Sequence, residues 1–101
     1  METVIILHGL SRTMASMRRI ANFLEEGGFD PVLIDYPSGR TTIELLSESI
    51  FGLLPSAGKL HFVGHSLGGV LTIRVAKMLP KERIGRIVQI GAPNFGSEVA
   101  E

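Results

Sequence analysis

The sequence predicts an α/β fold in which a four-stranded parallel sheet is covered by helices on both faces. Short apolar runs rich in β-branched residues alternate regularly with segments whose apolar residues recur at helical spacing. The runs are continuously apolar, as in strands that are buried on both faces. Parallel strands joined through helices require right-handed crossovers, which place helices on either side of the sheet. We therefore expect one three-layer αβα domain over residues 1–101.

The first strand–helix unit occupies the first 28 residues. Residues 3–7 form a short β-branched run that predicts a buried strand. From Met17 to Leu24, apolar residues recur at helical spacing, and Gly27 and Gly28 supply a C-terminal stop. A strand followed by an amphipathic helix is predicted here.

The second unit has the same order. Residues 31–34 form its strand, and turn residues follow it over 35–39. Thr41 and Glu44 predict a capping box at the start of the second helix. The apolar stripe of that helix is expected to consist of Ile43, Leu46, Ile50, Leu53 and Leu54.

The third and fourth units complete the sheet. A strand from Leu60 to Val63 leads into a tight turn and then into a helix over 67–79, which Pro80 ends. The first turns of this helix are apolar almost all round, which predicts a buried helix. Residues 84–90 form the fourth strand, and 91–97 form a loop.

The turn after the third strand carries the strongest chemical signal of the chain. Its sequence is Gly64-His65-Ser66-Leu67-Gly68-Gly69, a G-x-S-x-G motif between a strand and a helix. This arrangement is typical of a nucleophile elbow, in which a strained turn holds a serine hydroxyl above the sheet. Gly64 and Gly68 fit this prediction because the chain on either side of the serine comes too close for a Cβ.

The composition of the chain excludes several classes of function. The chain has a formal net charge of zero and scattered basic residues, unlike the basic stripe of a nucleic-acid-binding protein. It has no cysteine, which excludes disulfides and thiolate metal sites. No pattern indicates a signal peptide, a membrane span, a metal site or an organic cofactor. We expect a cytoplasmic protein, or a mature or excised piece of a larger one, that uses no cofactor.

The motifs together resemble the α/β-hydrolase superfamily, most of all its small lipases and esterases. The matching segments are 4–10, 35–38, 62–69 and 91–97, in the family's order. The resemblance implies the strand order 2-1-3-4, Ser66 as the nucleophile, and the backbone N–H groups of Leu67 and Leu10 as the oxyanion hole. It also implies carboxylic esters or related acyl compounds, including lipids, as substrates. The residues expected to support the site are His8, Gly9, Gly64, His65 and Gly68.

The sequence departs from the family at the catalytic triad. The family places an Asp or Glu and then a His after the serine. After Ser66 this chain contains no histidine and no aspartate, and its acids there are Glu82, Glu98 and Glu101. The chain therefore corresponds to the N-terminal half of such an enzyme. We expect the base and the acid to come from a longer chain, a second polypeptide or a symmetric partner.

The three histidines of the chain are expected to be structural. His65 precedes the serine, so its side chain should point away from the hydroxyl, and the family resemblance implies that it packs and forms hydrogen bonds beside the turn. His61 lies at the start of a strand. By the family resemblance, His8 holds the Gly9–Leu10 peptide in place. Its use as a substitute base is disfavoured, because a general base is judged first by whether it can reach the proton that it takes and only then by its pKa.

Two other interpretations stay open. The chain could be a non-catalytic binding or assembly module that kept the scaffold, or an inactive truncated product. The fourth strand, Ile87 to Ile90, is predicted to lie at a sheet edge, and open apolar edges recruit other chains. Self-association through this edge is therefore expected.

Overall fold

The computed structural model describes residues 2–9, 14–36 and 41–91 of the chain. In this part, strands alternate with helices from start to end. The elements are β1 (Thr3–Leu7), α1 (Met14–Glu26), β2 (Asp30–Ile34), α2 (Ile43–Gly52), β3 (Leu60–His65), α3 (Leu67–Ala76), a 3₁₀ turn (Lys81–Arg83) and β4 (Ile84–Ile90).

The four strands form one parallel sheet in the order β2-β1-β3-β4, which confirms the predicted fold class and strand order. Leu7 at the end of β1 pairs with Ile34 of β2 on one side and with Gly64 of β3 on the other. Because the strands are parallel, their carboxyl ends lie at the same edge of the sheet. Ligands of open α/β sheets bind at this edge, where the strand order reverses.

Helices cover both faces of the sheet and make the three layers. On one face, Met17 and Ala21 of α1 pack against Val4 and Ile6 of β1 and Val63 of β3. On the other face, α2 and α3 close a larger apolar cluster that includes Ile5, Leu7, Ile34, Leu46, Ile50, Leu60, Phe62, Leu71 and Val75. The continuous apolar character of the strands follows from this two-sided burial.

Two helix boundaries differ from the predictions. The N-cap of α2 is Thr42, whose Oγ1 accepts a hydrogen bond from the Leu45 N–H at 3.1 Å, so the capping box at Thr41 was wrong by one residue. The predicted stripe residue Leu53 lies after the helix and is 60% exposed. These shifts matter little for the core, which keeps Leu46 and Ile50 buried.

The helix α3 ends at Ala76, three residues earlier than predicted. The N–H groups of Met78 and Leu79 bond the carbonyls of Val75 and Ala76, three residues before them. The chain therefore tightens after the helix instead of continuing it.

The strand β4 lies at one edge of the sheet. Val88 and Ile90 of this strand are 47% and 39% exposed, and Phe23 of α1 is 74% exposed. These side chains line an open apolar groove of about 500 Å³ between α1 and β4. In the residues that the structure describes, no helix is long and apolar enough to cross a membrane.

Candidate functional site

Ser66 lies on the turn between β3 and α3 in a strained conformation. Its φ of 57° and ψ of −120° make it the single non-glycine residue with positive φ among the described residues. Its backbone is fixed: the N–H donates to the Ile90 carbonyl at 2.9 Å, and the carbonyl accepts from the Gly69 N–H at 2.8 Å. Ser66 is the N-cap residue of α3, yet its side chain makes no capping hydrogen bond. Its hydroxyl is thus not committed to the cap.

The two glycines of the motif lie where backbone packs on backbone. A Cβ on Gly64 would overlap the carbonyl of Gly68, and a Cβ on Gly68 would overlap the carbonyl of Leu7 at the end of β1. The first turn of α3 therefore sits directly on the ends of β1 and β3. This packing matches the reason for which the sequence predicts glycine at both positions.

Gly9 brings the loop after β1 against the serine. A Cβ on Gly9 would lie 2.9 Å from the Ser66 Cβ and 2.9 Å from the His65 carbonyl oxygen. The loops after β1 and β3 therefore meet, as the resemblance implies. Leu67 is the first residue of α3, where backbone N–H groups have no partner within the helix. Leu10, the other predicted oxyanion donor, lies outside the described residues.

His8 is buried beside Tyr36 at the same edge. The two rings are stacked with centroids 4.4 Å apart and an interplanar angle of 11°. The His8 Nδ1 bonds the Gly9 carbonyl at 2.8 Å, and the Tyr36 hydroxyl donates to the His8 carbonyl. The His8 Nε2 lies 3.3 Å from Oδ1 of the largely exposed Asp35, but it makes no hydrogen bond within the described residues. Burial raises the pKa of Tyr36 to about 12.

The other two histidines differ from each other. His61 Nε2 lies 2.7 Å from Glu2 Oε1, and its Nδ1 accepts from the Arg86 N–H at 2.9 Å, which makes this ring structural. The Nδ1 of His65 is buried and has no hydrogen-bond partner among the described residues. The hydrogen bond expected for the His65 ring is therefore not found at this atom.

Two contacts of the site were not predicted from the sequence. Gln89 of β4 donates from Nε2 to the Gly69 carbonyl at 2.8 Å, and Thr72 Oγ1 donates to the same carbonyl at 2.7 Å. The Gln89 bond ties the first turn of α3 to the sheet, whereas the Thr72 bond lies within α3. Gln89 is the one uncharged polar residue in an apolar strand, a signal that could have identified it. The stacking of Tyr36 on His8 left no such signal, because 28 residues separate the two.

In the described part of the chain, no group of three or more His, Cys, Asp or Glu side chains could hold a metal ion. The site consists instead of a strained serine, closely packed backbone and a stacked pair of aromatic rings.

Solved structures resemble this fold closely. An extracellular α/β-hydrolase from a Paenibacillus species is 24% identical, with a TM-score of 0.78 over 91% of this chain and 41% of its own. An α/β-hydrolase enzyme from a sediment metagenome of the lagoon of Mar Chica, Morocco, is 18% identical, with a TM-score of 0.79 over 95% and 47%. A methylesterase from Arabidopsis is 19% identical, with a TM-score of 0.73 over 92% and 44%.

No protein-family model matches the sequence, and no curated protein matches it significantly. At these identities the structural likeness shows the fold. The chain spans less than half the length of these three proteins. It has the α/β-hydrolase fold, of which it contains the part with the β3–α3 turn.

Proposed function

We propose that this chain provides the nucleophile and the oxyanion hole of a serine hydrolase that acts on carboxylic esters or related acyl compounds. The observation that supports this most is the conformation of Ser66, a strained serine whose side chain is not used as a helix cap. Strain of this kind costs about 1–3 kcal/mol and is concentrated at functional sites. The methylesterase among the similar structures agrees with an ester substrate.

In the proposed reaction, the Ser66 Oγ attacks the acyl carbon while a general base takes the hydroxyl proton. The oxyanion that forms is held by the backbone N–H groups of Leu67 and Leu10. Each such donor is worth about 3 kcal/mol in acyl-transfer enzymes. The tetrahedral intermediate then expels the alcohol, which receives the proton, and water hydrolyses the acyl-serine to release the acid and regenerate the hydroxyl.

The general base of this proposal lies outside the given chain. Both ring nitrogens of His61 are engaged with Glu2 and Arg86, and His8 uses Nδ1 to bind Gly9. Within the described residues, no hydrogen bond joins Ser66 to a histidine. A serine hydroxyl without a nearby base is a poor nucleophile. We therefore expect the chain alone to react slowly and to respond to an added base.

The test uses a fluorophosphonate probe with the 101-residue chain, with and without imidazole as an external base. Peptide mass spectrometry should locate the adduct on Ser66, and its rate should rise with the imidazole concentration. Ser66→Ala should remove that adduct, whereas Ser56→Ala, which alters an exposed serine, should leave it unchanged. Absence of an adduct on Ser66 under both conditions would reject the nucleophile role.

The exposed edge of the sheet favours a second candidate function, an assembly module. The β4 edge presents Val88 and Ile90 beside Phe23, and unpaired apolar edges pair with other chains. We infer that copies of the chain self-associate through this edge. Such association does not depend on the chemistry of Ser66.

Sedimentation over a range of concentrations tests this inference. Val88→Lys should shift the chain towards the monomer, since a charge at an edge opposes pairing. Leu45→Lys is the matched control, because Leu45 is 55% exposed on α2, away from the edge. A monomeric wild-type chain at every concentration would contradict the inference. Association that persists in Ser66→Ala while Ser66 proves unreactive would favour the assembly module over the hydrolase.

A further inference from the structure

Tyr36 is a buried residue that the proposed mechanism does not use. It lies two residues after β2, is 3% exposed, and stacks on the imidazole of His8, which is 5% exposed. Its ring belongs to the apolar cluster beneath α2 and α3. Its hydroxyl instead reaches the backbone of the loop after β1 by donating to the His8 carbonyl.

Two successive carbonyls of that loop are thus held by side chains. Tyr36 binds the carbonyl of His8, and the His8 ring binds the carbonyl of Gly9 at 2.8 Å. Because a carbonyl can only accept, the His8 Nδ1 must carry a proton. The stacked tyrosine covers one face of the imidazole and so restricts the rotation that would break this second bond.

Fixing the Gly9 carbonyl has a consequence for the peptide to which it belongs. A trans peptide is planar, so its N–H points opposite to its C=O and turns only together with it. The N–H of this peptide is the one proposed as the second oxyanion donor. Gly9 itself packs against Ser66, where a Cβ would lie 2.9 Å from the serine Cβ.

We propose that Tyr36 is a positioning residue that acts through His8: it orients the peptide after Gly9 so that its N–H can stabilise the oxyanion formed at Ser66. This proposal rests on the proposed hydrolase function. A purely structural role for Tyr36 would need only its ring, whereas the positioning role needs its hydroxyl. Tyr36→Phe separates the two because it keeps the ring and removes the hydroxyl.

The matched control is Ser47→Ala. Ser47 is also 5% exposed and also donates its hydroxyl to a backbone carbonyl, that of Ile43 at 2.8 Å, but it lies in α2. Both variants lose one hydroxyl–carbonyl hydrogen bond, which is buried for Tyr36 and partly buried for Ser47. They differ in whether that bond reaches the loop beside Ser66.

The experiment measures the ¹³C shift of the Gly9 carbonyl and the ¹⁵N shift of His8 Nδ1 by NMR, together with the imidazole-dependent rate of fluorophosphonate labelling at Ser66. Tyr36→Phe should move both shifts and slow labelling about 10-fold, whereas Ser47→Ala should change neither the shifts nor the labelling rate.

Three results would overturn the positioning role: unchanged shifts in Tyr36→Phe, an unprotonated His8 Nδ1 in the wild type, or altered shifts with an unchanged labelling rate. If the wild type shows no labelling, the hydrolase proposal fails and the positioning role with it, whereas normal wild-type labelling with no effect of Tyr36→Phe rejects the positioning role alone.

Discussion

The two loops that meet at Ser66 are built in different ways. The loop after β3 is determined by backbone packing, since Gly64 and Gly68 lie where a Cβ would overlap main-chain atoms. The start of the loop after β1 also packs closely at Gly9, but it is held in addition by side chains, since His8 and Tyr36 stack on each other and bind the carbonyls of Gly9 and His8. Backbone packing restricts the residue type strongly, so it leaves a recognisable motif in the sequence. Side-chain packing between distant residues leaves none.

Gly64→Ala should have the largest effect on stability, because it places a side chain within the close backbone packing of the loop after β3. The added Cβ would overlap the Gly68 carbonyl, which cannot move without displacing the first turn of α3. We expect a loss of about 3 kcal/mol in the free energy of unfolding, measured by urea denaturation.

Gly52→Ala is the control for this substitution. Gly52 ends α2, and a Cβ there would meet no atom within 4 Å. Its stability should stay equal or rise by about 0.5–1 kcal/mol, since alanine favours the helical state. Equal losses in both variants would show that the turn after β3 is not specially packed.

The contacts that Tyr36 makes with the loop after β1 should instead make the stability of the chain sensitive to alkaline pH. Tyr36 has a pKa of about 12 in the folded chain, against 10.0 for an ordinary tyrosine, because its burial opposes the phenolate. The unfolded chain therefore loses this proton first, and stability falls as pH rises from about 10 to 12. The expected loss is about 2–3 kcal/mol at the upper end.

Tyr36→Phe should remove this part of the alkaline loss of stability. The chain has one tyrosine and no tryptophan, so tyrosinate absorbance reports Tyr36 alone. A spectroscopic titration midpoint near pH 10 in the folded chain would contradict the buried, hydrogen-bonded state of this hydroxyl.

Ser66→Gly should stabilise the chain. Glycine adopts positive φ without the steric cost that Ser66 bears at φ 57°. Relief of this strain should add about 1 kcal/mol to the free energy of unfolding while removing the fluorophosphonate adduct. A destabilised Ser66→Gly chain would indicate that the turn holds no strain.

The N-cap of α2 gives a reference for an ordinary local contact. Thr42→Ala removes the capping hydrogen bond to the Leu45 N–H and should cost about 1 kcal/mol. Thr41→Ala, one residue earlier, should leave stability nearly unchanged. A larger loss of stability in Thr41→Ala than in Thr42→Ala, measured by thermal denaturation, would support the capping box that the sequence predicted at Thr41.

The elements and their order could be predicted because their signals are local. The strand β4 was placed at residues 84–90, as observed, since its apolar run is bounded by turn residues. The cap of α2 was misplaced because Thr41 and Thr42 offer the same hydroxyl, and only the backbone angles of Thr42 identify the cap. Leu53 fits the apolar stripe by spacing but lies beyond the end of the helix.

The candidate site likewise has features that could be predicted from the sequence and features that could not. The contact between the loops after β1 and β3 follows from the strand order, which the family resemblance implied and the spacing of residues did not. The stacking of Tyr36 on His8 depends on β2 lying beside β1 in a register that pairs Leu7 with Ile34. Only the folded chain brings these rings together, so no local pattern could have predicted the pair.

We propose that the backbone presents the Ser66 hydroxyl for reaction. The most direct measurement is the distribution of fluorophosphonate adduct between Ser66 and the exposed Ser56 of the same chain, with imidazole present. We predict adduct at Ser66 and little or none at Ser56. Equal labelling of the two serines would contradict it.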